Sequence, residues 1–278
     1  AAGRTTSRAL TEAALARIDD PAGEGARAFI KVYHEAALEC AKASDQARAH
    51  GIVPSPLAGI PVSIKDLCDV AGEVTLAGSS VRQDAEAATK DAPAVARLRA
   101  AGAVITGRTN MVEFAMGAPG TNAHYGTPKN AWDRATGRIP GGSSSGAAVS
   151  VTDGMAAAAL GTDTAGSVRI PAALCGLAGF KPTARRVPTE GIYPLSRTLD
   201  SVGPLAPTVA CCALVDAVFA GAAPPELTPR PLQGLRLAVP KYLVFDDVDD
   251  TVGAAFQAAL SKLSAAGARI TKIDFAEL

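Results

Sequence analysis

The stretch GGSSSGAAVSVTDGMAAAALGTDTAGSVRIPAALCGLAGFKP, residues 141–182, carries two clusters of glycine and hydroxyl residues on either side of a small-residue apolar run. The clusters are GGSSSG at 141–146 and GTDTAGS at 161–167. Residues 155–160 between them are apolar and flanked by turn residues, which predicts a short buried strand. Dense glycines let a backbone turn sharply and pass close to a ligand. The serines among them would then bring their hydroxyl groups to that ligand.

The rest of the chain alternates between helical and strand patterns, which predicts α/β layers around a sheet. The segments LRAAGAVIT (98–106) and LSAAGARIT (263–271) are alike, and we expect the same helix–strand packing in both. Predicted helices cover residues 6–18, 34–50, 92–101, 208–220 and 251–266. Predicted strands cover residues 59–65, 103–106, 155–160, 235–239 and 269–273.

Composition limits the class of protein. The 278 residues suffice for one large domain or two small ones, and a 48% share of hydrophobic residues supports a sizeable core. Because Lys+Arg and Asp+Glu both number 27, the net charge is zero, which argues against a general nucleic-acid or membrane-surface binder. No apolar run reaches the roughly 18 residues of a membrane helix. We therefore expect no direct nucleic-acid partner and no membrane.

The cysteines and histidines indicate neither disulfides nor a metal. The five cysteines form no C-x-x-C pair, and an odd number does not suit a disulfide framework. Reduced thiols in the cytoplasm are the expected state, and the N-terminus lacks the apolar core of a signal peptide. No His/Cys spacing is typical of zinc, so we expect no metal and no cofactor.

Together with Arg169, Pro171 and Cys175-Gly176, the two clusters resemble the amidase signature family. A block upstream, GIPVSIKD at 59–66, resembles the lysine motif of the same family. The resemblance implies an amidase signature fold: a central mixed β-sheet with helices on both faces, here a single domain over 1–278 with a Pro-rich connector at about 222–234. Members normally continue well beyond this length, so we expect the chain to lack the C-terminal part that completes the sheet.

The resemblance also implies a Ser-Ser-Lys triad. Ser167 is the implied nucleophile, Ser143 the bridging serine and Lys65 the base, and the two serines are 24 residues apart, as in the family. The implied activity is hydrolysis of the C–N bond of a small-molecule amide through an acyl-enzyme, which releases ammonia or an amine. A neutral lysine requires burial, because an unperturbed one titrates near ~10.4. The apolar run before Lys65 makes an apolar environment plausible.

The residues around the triad have implied supporting roles. The backbone N–H groups of Thr164, Ala165, Gly166 and Ser167 would form the oxyanion hole. The family usually has Gly where Ala165 stands. Ala is either strained there, if the position needs a positive φ, or it narrows the pocket, and we favour the second interpretation.

Other residues of the two clusters are expected to be structural. The family has a cis peptide before the bridging serine, which here would be Gly142–Ser143. Ser144 and Ser145 are candidate caps of the following helix, and for Ser145 capping is the preferred role. Asp163 is expected to orient the Ser167 turn. Arg169 either braces the same turn or faces a substrate carboxylate, and bracing is preferred.

Alternative interpretations use the same residues. The segment 142–146 fits the G-x-S-x-G elbow of α/β-hydrolases, but all three histidines precede it, whereas that fold needs its His afterwards. Within the family, the alternatives are a free-standing amidase, which we would expect to be a homodimer, and the glutaminase subunit of a tRNA-dependent amidotransferase complex. The segments 109–111 and 113–117 resemble that subunit. A non-enzyme alternative is an inactive relative or a fragment.

Overall fold

The computed structural model describes residues 3–242 and 244–274, which form two compact units, Ala1–Pro225 and Glu226–Leu278. The boundary between the units falls inside the connector predicted at about 222–234. The assignment of residues 1–278 to a single domain stays a prediction.

The first unit alternates helices with the strands of one sheet. Its α-helices are α1 Ser7–Ile18, α2 Gly25–Ala28, α3 His34–Ala49, α4 Pro93–Ala100, α5 Ser145–Thr152, α6 Arg169–Leu174 and α7 Val209–Ala220. Its strands are β1 Phe29–Val32, β2 Pro61–Lys65, β3 Val104–Thr109, β4 Ala158–Asp163, β5 Ala178–Gly179 and β6 Ser201–Ala206. Two short 3-10 helices, Ser80–Arg82 and Glu113–Ala115, lie in its loops.

The sheet is mixed, as the resemblance implies. Its strand order is β1-β3-β2-β4-β6-β5. The three central strands β3, β2 and β4 are parallel, whereas β1 and β6 run antiparallel to their neighbours. The carboxyl ends of β2 and β4 therefore lie at the same edge, which brings Lys65 close to the turn that follows Asp163.

Both faces of the sheet are covered. Because side chains alternate along a strand, Val62 and Ile64 of β2 pack in an apolar cluster with residues of α4 and α7. On the opposite face Ser63 contacts α5, where its Oγ lies 2.8 Å from Ser150 Oγ. A second apolar cluster there joins residues of α1, α5 and β4. All five residues of β2 are buried, so its last residue is withdrawn from water.

Most predicted elements are present within a few residues of their expected bounds. The strand predicted at 155–160 is displaced to Ala158–Asp163, because the N–H groups of Met155 and Ala156 turn back to the carbonyl of Ser150. Strands β1 and β6 were not predicted. The first has only four residues, and the second contains Gly203 and Pro204, which are unfavourable in strands.

The second unit repeats one arrangement of the first. Its strands β7 (Arg236–Pro240) and β8 (Arg269–Ile273) are parallel and connected through the helix α8 (Asp250–Ala265). The N–H of Gly234 donates to the carbonyl of Gly267 (2.9 Å), just as the N–H of Gly59 donates to Gly102 (2.8 Å). The expectation that 98–106 and 263–271 pack alike is confirmed.

Replacing Gly146 by Ala tests the close packing that supports the first serine cluster. An added Cβ would overlap the carbonyl oxygen of Ala28 and lie 2.7 Å from the amide nitrogen of Asn110. We expect a loss of about 3 kcal/mol in the free energy of unfolding, measured by urea denaturation. Gly253→Ala in α8 is the control, since nothing lies within 4 Å of its added Cβ. It should stabilise its own unit by up to about 1 kcal/mol. Two variants of equal stability would contradict the packing argument.

Candidate active site

Lys65 lies at the end of β2 and is fully buried. Its Nζ lies 2.8 Å from Ser143 Oγ and 2.8 Å from Thr162 Oγ1. Three segments that are distant in the sequence thus meet at one amine: the lysine motif, the first serine cluster and the second.

The amine has no carboxylate partner. Asp66, the adjacent residue, is instead bound by Arg108, whose Nε lies 2.7 Å from Asp66 Oδ1. Among the described residues, no ion pair includes Lys65. Burial lowers the pKa of Lys65 to about 7, although the charges of Asp163 and Asp200 partly oppose that shift. Near pH 7, Lys65 is therefore a neutral amine in a large fraction of the molecules.

Ser143 is held by the backbone on both sides. The peptide Gly142–Ser143 is cis, as the resemblance implies. The side chain is fully buried, and the carbonyl accepts a hydrogen bond from the N–H of Val112 at 3.0 Å. The hydroxyl oxygen of Ser143 lies 2.8 Å from Lys65 Nζ.

The turn that carries Ser167 is built around one buried carboxylate. Asp163 accepts hydrogen bonds from the N–H groups of Gly166 (2.8 Å), Val168 (3.1 Å) and Arg169 (3.3 Å). The guanidinium of Arg169 adds two more, from Nε at 3.0 Å and Nη2 at 2.9 Å. Burial alone would raise the pKa of Asp163, but these hydrogen bonds bring it below its usual value. Arg169 is thus directed at Asp163, which is the bracing geometry.

Three of the four expected oxyanion donors are available. The N–H of Gly166 is occupied by Asp163, so that residue departs from the expectation. In the described part of the chain, no acceptor pairs with the N–H of Thr164, Ala165 or Ser167. Ala165 does not adopt a positive φ, so its methyl is not strained and instead occupies space at the exposed side of the turn.

A backbone hydrogen bond joins the segment that carries Ser143 to the segment that carries Ser167. The N–H of Ser144 donates to the carbonyl of Ser167 at 3.3 Å. Within residues 3–242 and 244–274, no hydrogen bond joins the hydroxyls of Ser143 and Ser167. Ser167 is partly exposed, whereas Ser143 is buried, so the pair spans the boundary between the buried amine and the surface.

The preferred capping role of Ser145 is wrong, whereas Ser144 occupies the N-cap position without a side-chain cap. Helix α5 begins at Ser145 itself, and the side chain of its N-cap residue Ser144 makes no capping hydrogen bond. Ser144 Oγ instead lies 3.4 Å from both the N–H and the carbonyl of Thr162, which joins the two clusters. Ser145 Oγ is buried and has no hydrogen-bond partner in the described structure.

Two residues at the site were missed. Thr162 is the second partner of Lys65, and its place inside the GTDTAGS cluster was the available signal. Asp200 precedes β6 and accepts a hydrogen bond from Thr164 Oγ1 at 2.5 Å. It is an isolated carboxylate beside a strand that was not predicted, so nothing in the sequence pattern pointed to it.

A cavity of about 720 Å³ adjoins the cluster. One wall includes Val112, which is bound to the carbonyl of Ser143. The lining also includes Leu195, whose N–H donates to Asp200 at 3.0 Å. The apolar lining residues are Val112, Phe114, Met116, Ala123, Tyr193, Pro194 and Leu195, and the polar ones are Glu113, Thr121 and Asn122.

The described residues contain neither a cluster of metal ligands nor a disulfide. In those ranges, no three His, Cys, Asp or Glu side chains are grouped as metal ligands would be. All five cysteines are unpaired. No helix there is both long and apolar enough to cross a bilayer.

The family model described as "Amidase" matches residues 9–278. The chain belongs to the amidase family. The resemblance of its motifs and the fold that this implied are thereby confirmed. A solved amidase structure superimposes with a TM-score of 0.87 at 38% identity over 98% of the chain. The peptide amidase from Stenotrophomonas maltophilia does so with a TM-score of 0.84 at 33% identity, also over 98%.

Amidase relatives with different names are about equally similar to the chain. It is 41% identical to a glutamyl-tRNA(Gln) amidotransferase subunit of Chloroflexus aggregans, over 99% of its length. It is 42% identical to a 2-amino-5-chloromuconic acid deaminase of Comamonas testosteroni, over 98%. The chain spans only 58% and 60% of these two relatives and 61% of the solved amidase.

Replacing Lys65 by Met tests the burial of the amine without any assay of activity. In the folded protein the pKa of Lys65 is about 7, whereas the unfolded chain keeps the usual value near ~10.4. Between these values the unfolded state binds the extra proton, so the free energy of unfolding of the wild type rises with pH. The stability advantage of Lys65→Met over the wild type should therefore shrink by about 3 kcal/mol between pH 7 and pH 9.5. Urea unfolding at both pH values measures it.

The control is Lys42→Met, at an exposed position of α3. Its stability relative to the wild type should not change over this range. A difference between Lys65→Met and the wild type that is independent of pH would contradict a depressed pKa.

Proposed function

We propose that the intact protein hydrolyses the C–N bond of a carboxylic amide with Ser167, Ser143 and Lys65. The observation that carries the proposal is the fully buried Lys65, which contacts a serine hydroxyl and, within residues 3–242 and 244–274, has no carboxylate partner. A buried amine of lowered pKa can accept a proton near pH 7, which is the task of a general base. Exposed lysines that form ion pairs stay protonated at that pH.

The contacts of Lys65 set the direction of proton transfer. A neutral amine has two N–H groups and one lone pair, so Nζ can donate to Thr162 Oγ1 while it accepts from the hydroxyl of Ser143. Ser143 can then accept the proton of Ser167. This relay requires the Ser167 hydroxyl to turn toward Ser143, and catalytic hydrogen bonds are often formed only when substrate is bound.

The turn supplies the remaining parts of the reaction. Ser167 Oγ attacks the amide carbonyl, and its proton passes through Ser143 to Lys65. The N–H groups of Thr164, Ala165 and Ser167 face the developing oxyanion. The protonated relay gives its proton to the leaving nitrogen as the C–N bond breaks. Water then cleaves the acyl-enzyme and releases the carboxylic acid.

The substrate is proposed to be a small-molecule amide in the 720 Å³ cavity, whose lining is largely apolar. Its hydrolysis releases ammonia or an amine. No metal or cofactor takes part in this mechanism. A cytoplasmic location and a homodimer complete the proposal.

A second candidate is the glutaminase subunit of an amidotransferase complex. The observation that favours it is the 41% identity to a glutamyl-tRNA(Gln) amidotransferase subunit, nearly equal to that of the deaminase. The two candidates predict different behaviour of the purified intact protein. A free-standing amidase hydrolyses small amides alone, whereas a glutaminase of such a complex acts on glutamine and depends on partner chains. An inactive relative would do neither.

Ser167→Ala is the direct test of the nucleophile. The change removes one partly exposed hydroxyl, so the fold should persist while amide hydrolysis falls by at least about 10³-fold. The assay measures ammonia from a panel of primary amides, and a fluorophosphonate probe should label Ser167 in the wild type only. Ser80→Ala is the matched control at another partly exposed serine, and it should behave as wild type. Labelling of Ser144 would instead support the α/β-hydrolase elbow.

A further inference from the structure

We propose that Asp200 is a positioning residue that couples a wall of the cavity to the turn carrying the oxyanion donors. Through this coupling, contacts between the cavity wall and the part of the substrate that does not react raise kcat. This inference rests on the proposed amide hydrolysis and names a residue that the triad does not include.

The carboxylate of Asp200 joins two loops. Its Oδ1 accepts a hydrogen bond from Thr164 Oγ1 at 2.5 Å. Its Oδ2 accepts from the N–H groups of Leu195 and Ser196, both at 3.0 Å. Two loops that are distant in the sequence are therefore held by one side chain.

Each loop has its own place in the proposed reaction. Thr164 begins the turn and provides one of the free N–H groups. Leu195 lines the cavity together with Tyr193 and Pro194. A contact between the substrate and that wall can thus reach the oxyanion donors through one carboxylate.

The backbone of Asp200 is held in place by the sheet. It directly precedes β6, whose first residue, Ser201, pairs with Asp163 at the end of β4. The N–H of Asp200 also donates to the carbonyl of Ser196 at 2.8 Å. The main chain of Asp200 is therefore fixed by the sheet, and its side chain connects the loop of Thr164 to the loop of Leu195.

Two carboxylates hold the two parts of the turn. Asp163 binds the N–H groups of Gly166, Val168 and Arg169, in the second half. Thr164, in the first half, is held through its hydroxyl by Asp200. Loss of the Asp200 contact would leave the second half in place and release the orientation of the first donor.

Asp200 also acts on the base through its charge, which raises the pKa of Lys65. An amide at this position could still hold both loops, because the Thr164 hydroxyl can accept a hydrogen bond from an amide N–H group. Asp200→Ala removes every acceptor of the side chain and therefore breaks the coupling. Thr164→Val breaks it from the other side, and Thr164→Ser retains the hydroxyl.

The test compares kcat and KM for propionamide and hexanamide in the intact protein. We expect the wild type to have the higher kcat for hexanamide, because contacts with the cavity wall favour the transition state. In Asp200→Ala, kcat for hexanamide should fall about tenfold and approach that for propionamide, while the ratio of the two KM values stays unchanged. Thr164→Val should reproduce this change, Thr164→Ser should not, and the double variant should be no worse than either single one.

The matched control is Asp45→Ala. Asp45 likewise accepts two consecutive backbone N–H groups, from Ser7 (2.7 Å) and Arg8 (2.9 Å), at the start of α1. It should leave the kcat ratio of the two amides unchanged. Fluorophosphonate titration gives the fraction of folded active sites in each variant, so a folding defect is separated from a catalytic one.

Each outcome decides between the two proposals. Equal kcat values for both amides in the wild type, or an unchanged kcat ratio in Asp200→Ala, would overturn the role of Asp200 and leave amide hydrolysis standing. A wild type that neither hydrolyses amides nor reacts with the probe would overturn the proposed function itself.

Discussion

Burial of Lys65 without a carboxylate partner is the constraint around which the site is arranged. Placing a charged amine in such surroundings is costly, and the usual remedy is an ion pair. Here the adjacent carboxylate, Asp66, is bound by Arg108, and Lys65 is left with the hydroxyls of Ser143 and Thr162. Hydroxyls can satisfy a neutral amine but do not stabilise a positive charge as a carboxylate does. Because its contacts are with hydroxyls, the buried amine of Lys65 can be neutral and can accept a proton.

The sheet makes this burial possible. Parallel strands covered on both faces exclude water, and β2 lies between β3 and β4 with every residue buried. Its carboxyl end meets that of β4, so the amine and the Ser167 turn lie at one edge. Asp163 orders the turn, because it accepts hydrogen bonds from Arg169 and from backbone amides and none from Lys65. Asp66 is paired with Arg108 and Asp163 with Arg169, and neither carboxylate forms an ion pair with Lys65.

The sequence predicts much of this arrangement, and its failures have physical causes. Lys65, Ser143 and Ser167 were expected from motifs, and helices with clear periodicity were placed within a few residues. The hydrogen-bond partners of individual groups were predicted less well than the elements. The N–H of Gly166 is turned inward by Asp163, and Ser145 is a helical residue rather than a cap because the chain enters α5 one residue earlier than its serines suggest. Thr162 contacts Lys65 because β4 pairs with β2, and Asp200 contacts Thr164 because β6 pairs with β4.

The pH dependence of kcat/KM for amide hydrolysis by the intact protein tests the neutral lysine most directly, because this ratio reports the ionisation of the free enzyme. With a pKa of Lys65 of about 7, activity should rise through that pH and level off above it. The rise should be absent from the residual rate of Lys65→Ala. Activity that begins to rise only near pH ~10, where an unperturbed lysine loses its proton, would contradict the account.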